Sequence, residues 1–232
     1  MAIDSTTVLP EVNALSEKKN SLSREKSIRL AKGFSRLLWG MILSLILFTG
    51  LVKIDLLSHL RLPIFVVGML LVYWGIALLC MSSSITPKWS FHTRITLSIV
   101  FLQIYFIPFL YWWKQMPFVT YYILNMAAFL FSVTFVLFWV NLLAGEVARA
   151  LDDKTFFIES RISGWSVLFL MVLPISLFFF YCIYASVRHS TSLYSEIIQT
   201  YYYLPRWIYA LFFLPLTLTL MIIWKTKKRC LA

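Results

Sequence analysis

A chain of 232 residues, 60% hydrophobic and only 13% charged, with a mean hydropathy of +0.81, lies far from soluble domains, where about a quarter of residues carry charge. That balance excludes a water-soluble fold, and the formal charge of +11 has to sit on loops and at membrane surfaces. Three cysteines, Cys80, Cys182 and Cys230, form no CxxC pair and indicate neither a disulfide framework nor a metal site.

Residues 1–20 mix Ser, Thr, Glu, Lys and Asn with few large apolar side chains and read as a disordered tail. Over residues 21–36, Leu22, Ile28, Leu30 and Phe34 are interleaved with Arg24, Lys26, Arg29, Lys32 and Arg36. This pattern suits a basic segment lying along an anionic leaflet. A membrane domain follows over residues 37–224. Six uncharged apolar stretches supply it: Leu37 to Val52, Ile64 to Met81, Ile95 to Trp113, Phe118 to Leu143, Gly164 to Val187 and Trp207 to Trp224. A helix rising about 1.5 Å per residue needs roughly 20 apolar residues to cross a core of about 30 Å. The stretches meet or approach that length, and flanking Arg36 and Lys53 can snorkel from the short first one. Period-two alternation is missing and backbone polar groups in hydrocarbon need internal partners, so the expected fold is an all-α, polytopic bundle of six transmembrane helices. Residues 225–232 complete it as a basic tail in which Cys230, beside Lys227, Lys228 and Arg229, is placed for acylation.

Basic residues give the orientation. Of the 21 Lys and Arg residues, only Lys53, Arg61, Lys114, Arg188 and Arg206 fall on the face opposite the two termini. Short cytoplasmic loops are enriched in Lys and Arg, so both termini are expected in the cytoplasm and the chain in a bacterial cytoplasmic (inner) membrane. Trp and Tyr mark the interfaces: Tyr111, Trp112 and Trp113 oppose Tyr121 and Tyr122 across a short turn, which predicts a tight hairpin between the third and fourth spans. The fourth span is expected to run on as a helix through Glu146 and Arg149, whose spacing suits an exposed ion pair. The long connection from Arg188 to Arg206 carries Leu193, Ile197, Ile198 and Tyr201 at near-helical spacing, as an interfacial helix would.

Candidate polar sites are few. Gln103, Asn125 and Asn141 lie within spans, and Gln103 and Asn125 are expected to join helices by hydrogen bonds. Asp55, His59, His189 and Glu196 lie in outer connections and are of types that ligate metals or move protons, provided the fold gathers them. No HExxH, GxSxG, Walker-type loop or paired-aspartate signature occurs, so no catalytic residue, metal site or cofactor is expected.

Gly40, the run Ile54-Asp55-Leu56-Leu57, Gly68 and Gly75 resemble the opening hairpin of uncharacterised bacterial polytopic membrane proteins, although Ser58 replaces the proline of that turn. The resemblance implies no activity. Six spans with both ends inside, a basic arm and a long last outer connection are also similar in architecture to permease subunits of ABC-2-type exporters. The expectation is an accessory or assembly subunit held in the lipid bilayer, touching anionic lipids through its basic segment and a protein partner in the membrane, with no role in binding nucleic acid. A permease subunit served by a separate ATPase is the alternative.

Overall fold

The computed structural model describes residues 24–48, 61–82, 85–116, 119–187 and 206–231, and among these all regular structure is helical. The helices are α1 (Arg24–Phe48), α2 (Arg61–Met81), α3 (Trp89–Gln115), α4 (Thr120–Ala150), α5 (Lys154–Val187) and α6 (Arg206–Leu231). The described part of each apolar stretch falls on one of them. Among the described residues, three helices are long and apolar enough to cross a membrane, over Trp89–Trp113, Thr120–Ala150 and Lys154–Tyr184, while Phe65–Met81 is apolar but shorter. The expected disordered tail, the outer interfacial helix and the turn after Ile54 lie outside the described residues.

Apolar runs mark the part of a helix suited to hydrocarbon, not where the helix stops. Thus α3 starts at Trp89, α5 starts at Lys154 and α4 continues to Ala150 as its sequence suggests. Pro108, Pro174 and Pro215 all lie inside helices. The basic segment is likewise no separate element. It is the first half of α1, and its apolar side chains Leu30, Ala31 and Phe34 are buried in the bundle rather than left for a leaflet.

α1 and α2 are pressed together by glycine. A Cβ on Gly40 would lie 2.8 Å from Gly68 O and 2.7 Å from Val72 N, and one on Gly75 would lie 3.0 Å from Gly33 O and 2.9 Å from Leu37 N. Gly33 and Gly40 are two turns apart on α1, as are Gly68 and Gly75 on α2, so the pairs run antiparallel and bring the two backbones into contact.

Around this hairpin the helices form a closed circuit, with α1 on α2, α2 on α3, α3 on α4, α4 on α6 and α6 back on α1. α5 packs outside it against α4 and α6. The main core lies inside the circuit, where Phe34, Leu37 and Met41 of α1 join Ile76 and Leu79 of α2, Leu137, Val140 and Leu143 of α4, and Ile223 of α6. At the far end Phe109 packs against Tyr121 and Trp112 against Tyr122, at centroid distances of 5.7 and 6.1 Å, closing the expected α3–α4 hairpin.

The α4–α5 turn is built from local hydrogen bonds. Asp153 N–H donates to Ala148 O at 2.9 Å and Asp152 N–H to Arg149 O at 3.2 Å, the two bonds of a Schellman motif. Asp152 takes the left-handed position with φ 54°, where glycine is the usual occupant. Asp153 then accepts from Phe156 N–H through Oδ1 at 2.9 Å, capping the start of α5.

Candidate functional site

The polar side chains gather at the end of the bundle that holds the start of α1, the α2–α3 and α4–α5 turns and the end of α6. This end begins with the close of α2. Leu79 O, one of the carbonyls that a helix end leaves without an intrahelical donor, accepts from Ser82 Oγ at 2.6 Å and from the buried indole Nε1 of Trp89 at 3.2 Å. The turn so fixed places Thr86 against α4, where its hydroxyl donates to Glu146 Oε2 at 2.6 Å.

Glu146 is the most deeply buried carboxylate among the described residues. Its side chain is 5% exposed, whereas that of Arg149, at 3.2 Å, is 46% exposed. The expected pair therefore forms, but not on an exposed face: the carboxylate points into the bundle and only the guanidinium reaches outward, its Cζ 4.9 Å from the centroid of Phe157. A buried carboxylate needs both charge and hydrogen-bond partners to offset lost hydration, and Arg149 and Thr86 supply them. On the neighbouring α3, His92 packs against Trp139 with ring centroids 5.1 Å apart and their planes tilted by 55°, and it lies within electrostatic range of Glu146. Its Nδ1 is buried and finds no hydrogen-bond partner among the described residues.

Three further ties converge on α6. Asn141 Nδ2 donates to Leu137 O and to Thr219 Oγ1, each at 2.8 Å, and Thr219 donates onward to Pro215 O at 2.9 Å. The ammonium of Lys225 pairs with Glu159 of α5. Arg229 meets Asp153 Oδ2 at 2.7 Å and lies over the ring of Phe156 at 4.0 Å. Asp153 thus serves two helices, one oxygen capping α5 and the other holding the end of α6. Cys230, beside Arg229, is buried, and burial pushes its thiol up to about 11, so acylation, which its basic neighbours would in principle permit, meets a covered and protonated sulfur.

The in-span amides divide. Asn141 joins α4 to α6, a role the sequence assigned to Gln103 and Asn125 instead. Asn125 is half-buried and donates to Tyr121 O at 2.7 Å, within its own helix and not across to a neighbour, because the i−4 carbonyl is the nearest acceptor. Gln103 is buried on α3. Asp55, His59, His189 and Glu196 lie outside the described residues. Among those described, no three His, Cys, Asp or Glu side chains gather as a metal site.

Sequence reasoning missed His92 and the Thr86 bond to Glu146. Neither has a short motif, since the partners are separated by many residues and meet only through the rotation of α3 and α4. Chemically the arrangement is an acceptor carboxylate neutralised by an arginine and fixed by a hydroxyl, with an imidazole nearby. No protein-family model matches the chain, and no curated protein or solved structure matches it.

Proposed function

We propose that the chain is a six-span protein of a bacterial cytoplasmic (inner) membrane, with both termini in the cytoplasm, that works as an accessory or assembly subunit without chemistry of its own. The observation that carries this reading is how its polar groups are used. Thr86, Glu146, Asn141, Thr219, Asp153, Glu159, Lys225 and Arg229 all serve as ties between helices or turns. A scaffold uses polar groups in this way, whereas a transport path would turn them toward a cavity. α5 adds support, because outside the circuit it leaves Ile162, Trp165, Phe169, Leu173, Leu177, Phe180 and Tyr184 exposed along one flank. Such a stripe suits lipid or a partner helix.

Purification in gentle detergent is the test. The expected outcome is an assembly with a second membrane polypeptide in fixed ratio that dissociates when Phe169 and Leu173 are changed to Ala. A chain that purifies alone would overturn the subunit reading, and loss of cellular function in a His92→Ala variant that still folds would replace it with an enzyme. Orientation has its own check: cysteines placed at Ser192 and Gln115 should label from outside the cell, and one at Ser23 should not.

A further inference from the structure

The antiparallel α1–α2 pair, the hairpins that follow and the bond of Arg229 to Asp153 together bring the start of α1 and the end of α6 to the same end of the bundle, side by side. Two basic segments from opposite ends of the sequence become one surface. Most of the acidic residues nearby are already matched, Glu25 to Arg29, Asp153 to Arg229 and Glu159 to Lys225, which leaves Asp152 on the α4–α5 turn as an exposed carboxylate without a basic partner among the described residues. Lys26, Lys32, Arg36, Lys227 and Lys228 have no acidic partner among the described residues.

Three of these cations stand beside exposed indoles. Arg36 Cζ lies 4.1 Å from the centroid of Trp74, and the ammonium groups of Lys227 and Lys228 each lie 5.3 Å from that of Trp224. Trp39, Trp74 and Trp224 are 61%, 54% and 43% exposed. A nucleic acid or an acidic protein would satisfy the cations and leave the indole and alkyl surface below them in water. A leaflet of anionic phospholipid satisfies both at once, with phosphates at the cations and acyl chains against the rings.

We propose that the α1 and α6 ends form one composite docking surface for anionic phospholipid headgroups, with Lys26, Lys32 and Arg36 on one side and Lys227 and Lys228 on the other. The proposal rests on the membrane reading and extends it, because the tail contributes half of a site that the sequence placed on the N-terminal segment alone.

The full-length protein in neutral detergent can be melted with added phosphatidylglycerol or phosphatidylcholine, at low and high salt. Phosphatidylglycerol should raise the melting temperature, phosphatidylcholine should not, and salt should remove the difference. Affinity should fall about five-fold for each lysine removed, the factor that about 1 kcal/mol per cation at an anionic surface gives. Lys227→Gln/Lys228→Gln should therefore weaken binding as much as Lys26→Gln/Lys32→Gln, with Lys154→Gln unchanged. Trp224→Ala should weaken lipid binding while leaving any response to inorganic polyphosphate as it was. A tail variant that binds phosphatidylglycerol like the wild type overturns the composite surface. An equal rise with polyphosphate or an oligonucleotide overturns the lipid in favour of a free polyanion. Release of the chain from membranes by alkaline carbonate would instead overturn the membrane reading itself.

Discussion

Thr86 donates its hydroxyl hydrogen to Glu146 Oε2 at 2.6 Å, joining the turn after α2 to a helix that begins far downstream in the sequence. Hydrogen bonds to buried charges contribute about 1.5 to 3 kcal/mol. Thr86→Val keeps the shape and removes the donor, so it should lower stability by about that amount. Thr86→Ser should retain most of it. Thermal melts of the two variants in the same detergent decide the matter, and equal losses would assign the effect to packing.

Gly40 and Gly145 should respond differently to the same change. A methyl at Gly40 runs into the backbone of α2, which cannot yield without parting the helices, while one at Gly145 meets Ser160 Oγ at 2.9 Å, the movable tip of a side chain. Gly40→Ala should therefore cost about 1 to 3 kcal/mol and Gly40→Val more, with Gly145→Ala cheaper than either. Cross-linking yield between cysteines on α1 and α2 should fall with the Gly40 variants only.

Asn141→Leu removes the amide that joins α4 to Thr219 of α6. Interhelical bonds of this kind contribute about 0.6 to 2 kcal/mol, so the folded fraction in detergent should fall correspondingly. Asn125→Leu should have the smaller effect, because its bond to Tyr121 stays within α4.

Asp152 holds a left-handed backbone angle that costs an L-residue roughly 1 to 2 kcal/mol. Asp152→Gly should raise the melting temperature by relieving it, and Asp152→Val should lower it. Opposite signs from two changes at one exposed position would identify the backbone as the cause.

Cys230 should resist maleimide at neutral pH until the protein is denatured, because its sulfur is both buried and protonated. Its folded value of about 11 lies above the ordinary 9.0, so the folded state binds the proton more tightly. The resulting stability is present below pH 9.0 and is lost as the pH climbs toward about 11. Cys230→Ala should flatten that part of the stability profile.

The helices were legible because apolar length is a local property, and Tyr121 and Tyr122 marked a hairpin for the same reason. What stayed hidden depends on which way each helix faces. The spacing of Glu146 and Arg149 says that they share a side of α4, but not that the side turns toward Thr86. Nor does the alternation of Leu30 and Phe34 with basic residues distinguish a face lying on lipid from one pressed into protein. The same limit concealed His92, whose neighbours Trp139 and Glu146 come from another helix, and Gly33, whose purpose appears only opposite Gly75. The joining role is expected of Gln103 and Asn125, whereas Asn141 carries it through Thr219, an ordinary hydroxyl in an apolar run that no pattern marks.

The closed circuit of helices skips α5 and ends on α6, and this sets an order on biosynthesis. As the chain emerges, α1 through α4 can associate, but the flank of α1 that belongs against α6 stays uncovered until α6 leaves the ribosome. Leu30, Phe34 and Met41 then acquire their final neighbours together with the locking of Arg229 onto Asp153. A nascent chain stopped after α5 would hold an open ring with no latch, distinguishable from the finished protein by a membrane protease that samples unpaired helices.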